Sequence, residues 1–248
     1  MSQARTTINI RGTDWLINGQ PTCPGTAAAG QLPNVRMVNA VFEDETRTDI
    51  DPDDITNRFI AKIPEYKAHG VLAFTLGLQG GMPGYEGAVN SAFRADGTLK
   101  ADYLRRVERV IRSCDEQGLV VLLSLYYQRQ DQQLRDEAAV REGVVQVCKW
   151  IRASGFANVL LEIANEYGHP GFTHRILREA EGIAELIRTA KREAPELLVS
   201  ASSLGHGRID RSVADASDFI TIHFNETPTG KIPARVRAAS VYGKPVLC

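Results

Sequence analysis

Short apolar runs alternate along the chain with longer segments that are apolar on one face only. In one such segment Leu104, Val107, Ile111 and Cys114 recur at spacings of three and four residues, which is the period of one helix face. The apolar runs are nearly continuous, as expected for strands of a parallel sheet that is covered by helices on its faces. The pattern therefore predicts a series of strand–helix units.

Seven strands follow from this pattern, and six of them are followed by a helix. The predicted strands cover residues 35–42, 71–76, 119–125, 159–164, 197–200, 219–223 and 245–247. The first predicted helix runs from Asp51 to Gly70, and the second contains Leu104 and ends at Gly118. The other predicted helices cover residues 136–154, 176–192, 211–216 and 232–242. Asp51 and Pro52 suit the N-cap and first position of a helix, and both glycines suit its C-terminal end.

The first 30 residues do not follow the strand–helix alternation. Short alternating runs flank Asn18-Gly19, a strong two-residue hairpin signal, and a linker rich in Gly, Pro and Ala follows at residues 24–30. We therefore predict an N-terminal β-hairpin and linker over 1–30 and a barrel domain over 31–248.

The alternation fits either a doubly wound open sheet or a (β/α)8 TIM barrel. No GxGxxG or GxxxxGK[ST] motif follows the first strand, which disfavours the nucleotide-binding open sheets. Polar and aromatic residues cluster after the carboxyl ends of many strands, where a barrel has its active site. We predict a (β/α)8 barrel that is incomplete at its C-terminal side, with units one to seven present and the eighth missing.

Composition removes several classes of partner. Of 248 residues 43% are hydrophobic, and 29 Lys and Arg against 30 Asp and Glu give a net charge of -1, so no global charge favours nucleic acid or an anionic membrane. No apolar run approaches the roughly 20 residues of a transmembrane helix, and the first residues lack the apolar core of a signal peptide, which leads us to expect a cytoplasmic protein. The four cysteines have no metal-ligand spacing, and we expect no metal and no cofactor.

The fourth predicted strand carries the clearest candidate chemistry. Residues 159–166 read VLLEIANE, so the two-residue period of a strand places Glu162 and Glu166 on the same face, with Glu166 at the upper end. Two carboxylates that face a barrel interior are costly unless they are paired or used. By itself, Glu166 could equally be a solvated residue at the start of a loop.

Four segments together resemble clan A glycoside hydrolases, particularly the cellulase-like enzymes of family 5. They are LLEIANE at 160–166, Ile222-His223-Phe224, Gly243-Lys244-Pro245-Val246-Leu247 and the Asn-Gly-Gln-Pro of the hairpin. The resemblance implies an O-glycosyl hydrolase that cleaves a β-glycosidic bond with retention. It further implies that Glu166 is the general acid/base with a raised pKa, that Asn165 binds the sugar 2-hydroxyl, and that His223 orients the site.

The sequence departs from that family at three places. The arginine usual near the end of the second strand is missing, and Gln79 or Arg36 could replace it; Phe224 and Asn225 stand where the family has a tyrosine after His223. The resemblance places the nucleophilic carboxylate at the end of the seventh strand, just beyond Cys248, and Glu226 matches that position poorly. Tyr126, Gln128 and Gln79 are further candidates for the walls of the substrate site.

One other function stays open. A barrel that retains the Asn-Glu pair without the nucleophile would bind carbohydrate or a protein partner without catalysis. The aromatic content of 7% favours an oligosaccharide or glycoside over a long polysaccharide. The sequence does not specify the sugar, the linkage or the oligomeric state.

Overall fold

The structure, a computed structural model, describes residues 4–81 and 85–248. Its strands are β1 Ile8–Arg11, β2 Asp14–Ile17, β3 Gln20–Pro21, β4 Asn34–Arg36, β5 Ala73–Gly77, β6 Val120–Tyr126, β7 Val159–Ala164, β8 Leu198–Ser200, β9 Ile220–Thr221 and β10 Val246–Leu247. Its α-helices are α1 Pro52–Ala68, α2 Ala101–Gln117, α3 Glu137–Ser154, α4 Ala180–Glu193, α5 Arg211–Ala216 and α6 Ile232–Ala239. These elements alternate as the sequence predicts.

The barrel strands lie side by side in chain order and run parallel. β4 to β8 form one five-stranded parallel sheet, and β9 and β10 form a parallel pair. A parallel bridge between Ser202 and Thr221 joins the two groups. The order with a helix after each strand is that of a partial (β/α)8 barrel, which confirms the predicted fold.

Local signals account for the helix boundaries. The Asp51 carboxylate accepts hydrogen bonds from the backbone N–H groups of Asp53 and Asp54 and so caps α1, whose first residue is proline. At the C-terminal end of α2, Gly118 adopts a left-handed conformation with a φ of 75°, which ends the helix. Within residues 4–81 and 85–248, no helix combines the length and apolar character that crossing a bilayer requires.

The N-terminal segment forms three strands where the sequence predicts two. The Asn18-Gly19 turn is present, with φ angles of 51° and 75°, but it joins β2 to the short β3. A second turn, at Gly12, joins β1 to β2. A lone glycine in a polar segment is a weaker turn signal than Asn-Gly, which explains why the sequence does not reveal the extra strand.

Two strands end earlier in the structure than the sequence predicts. The first ends at Arg36, because residues 37–42 form turns in which the amide of Ala40 bonds to the carbonyl of Met37. The sixth ends at Thr221, so that His223 lies just beyond it. In both places buried apolar side chains continue past the strand, so the hydrophobic run is longer than the strand itself.

The lower interior of the barrel is apolar and closed by the N-terminal sheet. Trp15 of β2 is 1% exposed and packs edge-on against Phe219, with 5.2 Å between ring centroids. Leu122 and Leu160 from neighbouring strands belong to the same cluster. Since the bottom is filled in this way, the polar side chains of the barrel collect at the opposite end.

Candidate active site

Glu166 lies where the chain leaves the fourth barrel strand, β7. Its backbone has a φ of 54°, a left-handed conformation that is uncommon for a residue with a side chain. The amide of Asn165 still continues the sheet by donating to the carbonyl of Tyr126 at 2.9 Å. One residue later the amide of Glu166 donates to Ser202 Oγ at 3.0 Å. The turn is thus anchored on both neighbouring strands.

One oxygen of the Glu166 carboxylate receives two hydrogen bonds. His223 Nδ1 lies 3.1 Å from Oε1 and Asn225 Nδ2 donates to the same atom at 2.7 Å, while the side chain is 13% exposed. The hydrogen bond from His223 lowers the pKa of Glu166 below its ordinary value; burial opposes this, and Asn225 adds to it. The sequence-based expectation of a raised pKa is therefore not met by these neighbours, because donors on Oε1 favour the ionised form.

Arg36 determines which nitrogen of His223 carries the proton. Its Nη1 lies 3.0 Å from His223 Nε2. Because a guanidinium only donates, Nε2 must accept, and the imidazole proton resides on Nδ1 facing Glu166. The order of donation, from Arg36 to His223 to Glu166, is consistent with a neutral imidazole.

Arg36 also holds the amide of Asn165. Its Nη2 donates to Asn165 Oδ1 at 2.8 Å, and Asn165 Nδ2 in turn donates to Gln128 Oε1 at 3.2 Å. With the oxygen bound by a donor and the nitrogen by an acceptor, the orientation of the amide is determined by its partners. Five of the predicted site residues thus form one network: Glu166, Asn165, His223, Arg36 and Gln128.

Tyr126 and Gln79 do not join this network and do not form the expected walls. Tyr126 is 0% exposed, and its hydroxyl donates to the Val140 carbonyl at 2.6 Å, between the sheet and α3. Gln79 is 1% exposed and donates to Ser91 Oγ at 3.0 Å and to the Gln130 carbonyl at 3.2 Å. Both predictions are corrected: each side chain holds parts of the scaffold together.

Two residues at the site were not predicted. Asn225 takes the place in which the family resemblance calls for tyrosine, and only its spacing from His223 could have pointed to it. Tyr127 is half-buried and packs on Gly80, where a Cβ atom would come within 2.2 Å of the ring. Burial raises the pKa of Tyr127, the charge of Arg36 opposes this effect, and the charges of Glu166 and Glu162 add to it.

A row of polar side chains lies beneath the network inside the barrel. Glu162 pairs in register with Ser124 on one side and Ser200 on the other, and it is 1% exposed. Among the described residues its two carboxylate oxygens have no hydrogen-bond partner. The sequence-based placement of Glu162 in the interior is confirmed, and the upper half of the barrel is polar where the lower half is apolar.

A cleft of about 850 Å³ opens beside the network, within the size range of small-molecule sites. The described residues that line it include two tyrosines and several polar side chains from the loops after β5, β6 and β7: Tyr85, Glu86, Tyr127, Gln128, Arg129, Gln133 and His169. Aromatic faces beside amide and charged groups suit a ligand with both apolar and hydroxyl surfaces.

Asp44 anchors Tyr85 at the rim of the cleft. Its carboxylate accepts hydrogen bonds from the Tyr85 hydroxyl at 2.7 Å, from the Val89 amide at 3.0 Å and from Thr46. Burial pushes the pKa of Asp44 upward, but these hydrogen bonds outweigh it and lower the pKa to about 2. The guanidinium of Arg47 lies 4.8 Å from the centre of the Tyr85 ring.

Replacing Asp44 by asparagine is expected to lower the free energy of unfolding at neutral pH by about 1–2 kcal/mol. The folded-state pKa lies below the ordinary value, so the stabilisation by Asp44 is complete above about pH 4 and is lost as the pH falls toward 2. Urea unfolding at pH 7 and pH 3 measures this. Asp96→Asn is the matched control, because Asp96 makes the same turn with Thr98 but is exposed. Equal effects of the two substitutions would contradict the anchoring role.

The sequence matches no protein-family model and no curated protein, but solved structures share its fold. A Bacteroides vulgatus protein provisionally described as a glycoside hydrolase is 14% identical with a TM-score of 0.64, over 98% of this chain and 47% of that one. An endo-1,4-β-mannanase and a family 5 mannosidase, both from Rhizomucor miehei, are 13% and 12% identical with TM-scores of 0.63 and 0.61. The matches cover 97% and 98% of this chain and 80% and 72% of theirs. The chain thus spans about half of the first protein, and it has the barrel fold that the resemblance to clan A implies.

Proposed function

We propose that the protein is a glycoside hydrolase that cleaves a β-glycosidic bond with retention, with Glu166 as general acid and base. The observation that carries the proposal is the position of Glu166 at the carboxyl end of a barrel strand, next to Asn165 and with one oxygen held by two donors. Gln128, which belongs to the same network, lines the cleft. Active sites of (β/α) barrels lie at this end. The mannanase and mannosidase among the similar structures support the reaction class and leave the sugar open.

In the proposed first step the nucleophilic carboxylate bonds to the anomeric carbon while the bond from that carbon to the glycosidic oxygen breaks, and Glu166 donates its proton to the departing oxygen. In the second step the Glu166 carboxylate takes a proton from water, whose oxygen bonds to the anomeric carbon and displaces the enzyme nucleophile. Among the described residues, the hydrogen bonds to the carboxylate converge on Oε1. Oε2 is therefore the oxygen that we assign to proton transfer.

The nucleophile in this proposal follows β10. β10 runs parallel to β9, so its carboxyl end opens at the same rim as Glu166. Glu162 does not suit the role, because it lies within β7 beneath the network and is 1% exposed, whereas Glu166 lies in the turn that follows the strand. A retaining pair needs its carboxyl groups about 5–5.5 Å apart. A nearby second carboxylate would also raise the pKa of Glu166, as its acid role requires.

The remaining network residues would bind and orient the sugar. Asn165 is held by Arg36 and Gln128, which prepares its amide for the 2-hydroxyl next to the reacting carbon. Tyr127 replaces Tyr126 as the aromatic wall, because it lies in the cleft with Gln128. The cleft suits a short oligosaccharide or a simple glycoside.

The test is hydrolysis by the full-length protein of 4-nitrophenyl β-mannoside, β-glucoside, β-galactoside and β-glucuronide, with the α-anomers as controls. We expect turnover of at least one β-glycoside, and proton NMR should detect the β-anomer of the sugar as the first product. An α-anomer as first product would refute retention. Calorimetric binding of sugars without any hydrolysis would instead favour a non-catalytic carbohydrate-binding barrel.

A further inference from the structure

The loop Gly205-His206-Gly207-Arg208, between β8 and α5, packs against the segment that follows β9. A Cβ atom on Gly205 would lie 2.5 Å from the Cβ, Cγ and Nδ2 atoms of Asn225, and one on Gly207 would lie 2.8 Å from the Phe224 ring. The carbonyl of His206 accepts a hydrogen bond from Arg235 of α6. The two glycines thus allow this loop to come into direct contact with Phe224 and Asn225.

We infer that Asn225 is a positioning residue for Glu166, and that glycine is required at position 205 because Asn225 lies directly on its backbone. The Asn225 side chain has one conformation in which Nδ2 reaches Oε1 of Glu166 at 2.7 Å. A methyl group at position 205 would occupy the space of that conformation. Gly205 does not have a left-handed φ, so alanine there is strained only by this contact.

Asn225 differs from the other groups around Glu166 because it carries no charge and does not titrate. Among residues 4–81 and 85–248, the titratable or charged groups around Glu166 are His223 and His169 from the loops after β9 and β7, Arg36 of β4, which acts through His223, Tyr127 beyond β6, and Glu162 lower on β7. A donor that never loses its proton stabilises the Glu166 carboxylate at every pH. In the proposed reaction, such a donor favours the ionised form of Glu166, which is the form required before it takes a proton from water.

Removal of this donor should raise the pKa of Glu166. A hydrogen bond to a charged group corresponds to about one pH unit, so Asn225→Ala should raise the pKa of Glu166 by about one unit. Asn225→Asp, which has the same shape, should raise it further, because it places a second carboxylate beside Glu166. Gly205→Ala should also raise the pKa of Glu166. The double variant with Asn225→Ala should show no further rise, since both substitutions remove the same hydrogen bond from Asn225 to Glu166.

The experiment is a carbon-13 NMR titration of the glutamate side-chain carboxyls in the full-length protein, with Glu166 assigned by the resonance that Glu166→Gln removes. Asn57→Ala, an exposed amide on α1, and Gly230→Ala, where a Cβ meets no atom within 4 Å, are the matched controls and should leave the titration unchanged. An unchanged titration in both Asn225→Ala and Gly205→Ala would overturn the inference.

The catalytic consequence rests on the proposed function and has its own measurement. If Glu166 is the acid, the alkaline limb of the kcat/KM profile should move to higher pH by the same amount in Asn225→Ala and Gly205→Ala. A titration that shifts in a protein without glycoside hydrolysis upholds the positioning role and overturns the proposed function. If the NMR titration of Glu166 shifts but the alkaline limb of the kcat/KM profile does not, the positioning role of Asn225 is upheld. In that case Glu166 is not the general acid.

Discussion

Glu166→Gln should lower kcat/KM for an aryl β-glycoside with a poor leaving group by about 10³-fold, in the range that general acid catalysis contributes. Glutamine retains an oxygen that accepts from His223 and Asn225, so the network and the fold should persist. What it loses is the transferable proton. A leaving group that needs no protonation, such as 2,4-dinitrophenolate, should therefore be affected far less in the bond-breaking step.

A series of aryl glycosides with leaving groups of increasing pKa measures this effect. The slope of log kcat/KM against that pKa should be steeper in Glu166→Gln than in the unaltered protein. Glu226→Gln is the matched control, since Glu226 is exposed on the same rim and is expected to have no role. An equal loss of kcat/KM for all leaving groups in Glu166→Gln would contradict an acid role for Glu166. A comparable loss of kcat/KM in Glu226→Gln would identify Glu226 as a second essential carboxylate.

Arg36→Ala should give the second largest effect, a loss of about 10²-fold in kcat/KM, as expected when a misplaced group no longer supports the reacting geometry. Arg36 donates from Nη1 to His223 Nε2, which selects the tautomer of His223, and from Nη2 to Asn165 Oδ1, which orients the Asn165 amide. Arg36→Lys should recover only part of the loss, because an ammonium group lacks the two-pronged donor arrangement of a guanidinium.

Nitrogen-15 NMR of His223 provides a second measurement of the Arg36 prediction. In the unaltered protein the proton should reside on Nδ1, and in Arg36→Ala the Nε2 tautomer should become populated. Arg58→Ala on the exposed face of α1 is the matched control. The same tautomer in Arg36→Ala as in the unaltered protein would contradict the role of Arg36.

The elements of the barrel could be predicted well because each has an independent local signal. β7 and α5 have the predicted bounds, and the Asp51 cap and the glycine at 118 mark helix ends where expected. Strand ends were less accurate, since a buried apolar run continues after the ladder of hydrogen bonds stops. The separate strand β1 was missed for another reason: the turn that joins it to β2 has only Gly12 as a signal.

The site was predicted only in part, because strand periodicity does not specify where a side chain points at the end of a strand. Tyr126 and Tyr127 are neighbours, yet the first lies in the core under α3 and the second in the cleft. Gln79 was chosen as a polar residue near the rim, but its partners come from two distant loop segments. Asn225 depends on a contact with Gly205 that no sequence pattern reveals.

Azide rescue of Glu166→Ala tests the central claim most directly. With 2,4-dinitrophenyl glycoside as substrate, loss of the acid/base leaves a glycosyl-enzyme that azide can attack from the side where Glu166 stood. We expect azide to accelerate turnover and NMR to identify the β-glycosyl azide, with the configuration of the substrate. An α-glycosyl azide would make Glu166 the nucleophile, and the absence of any rescue together with unchanged hydrolysis would contradict a catalytic role for Glu166.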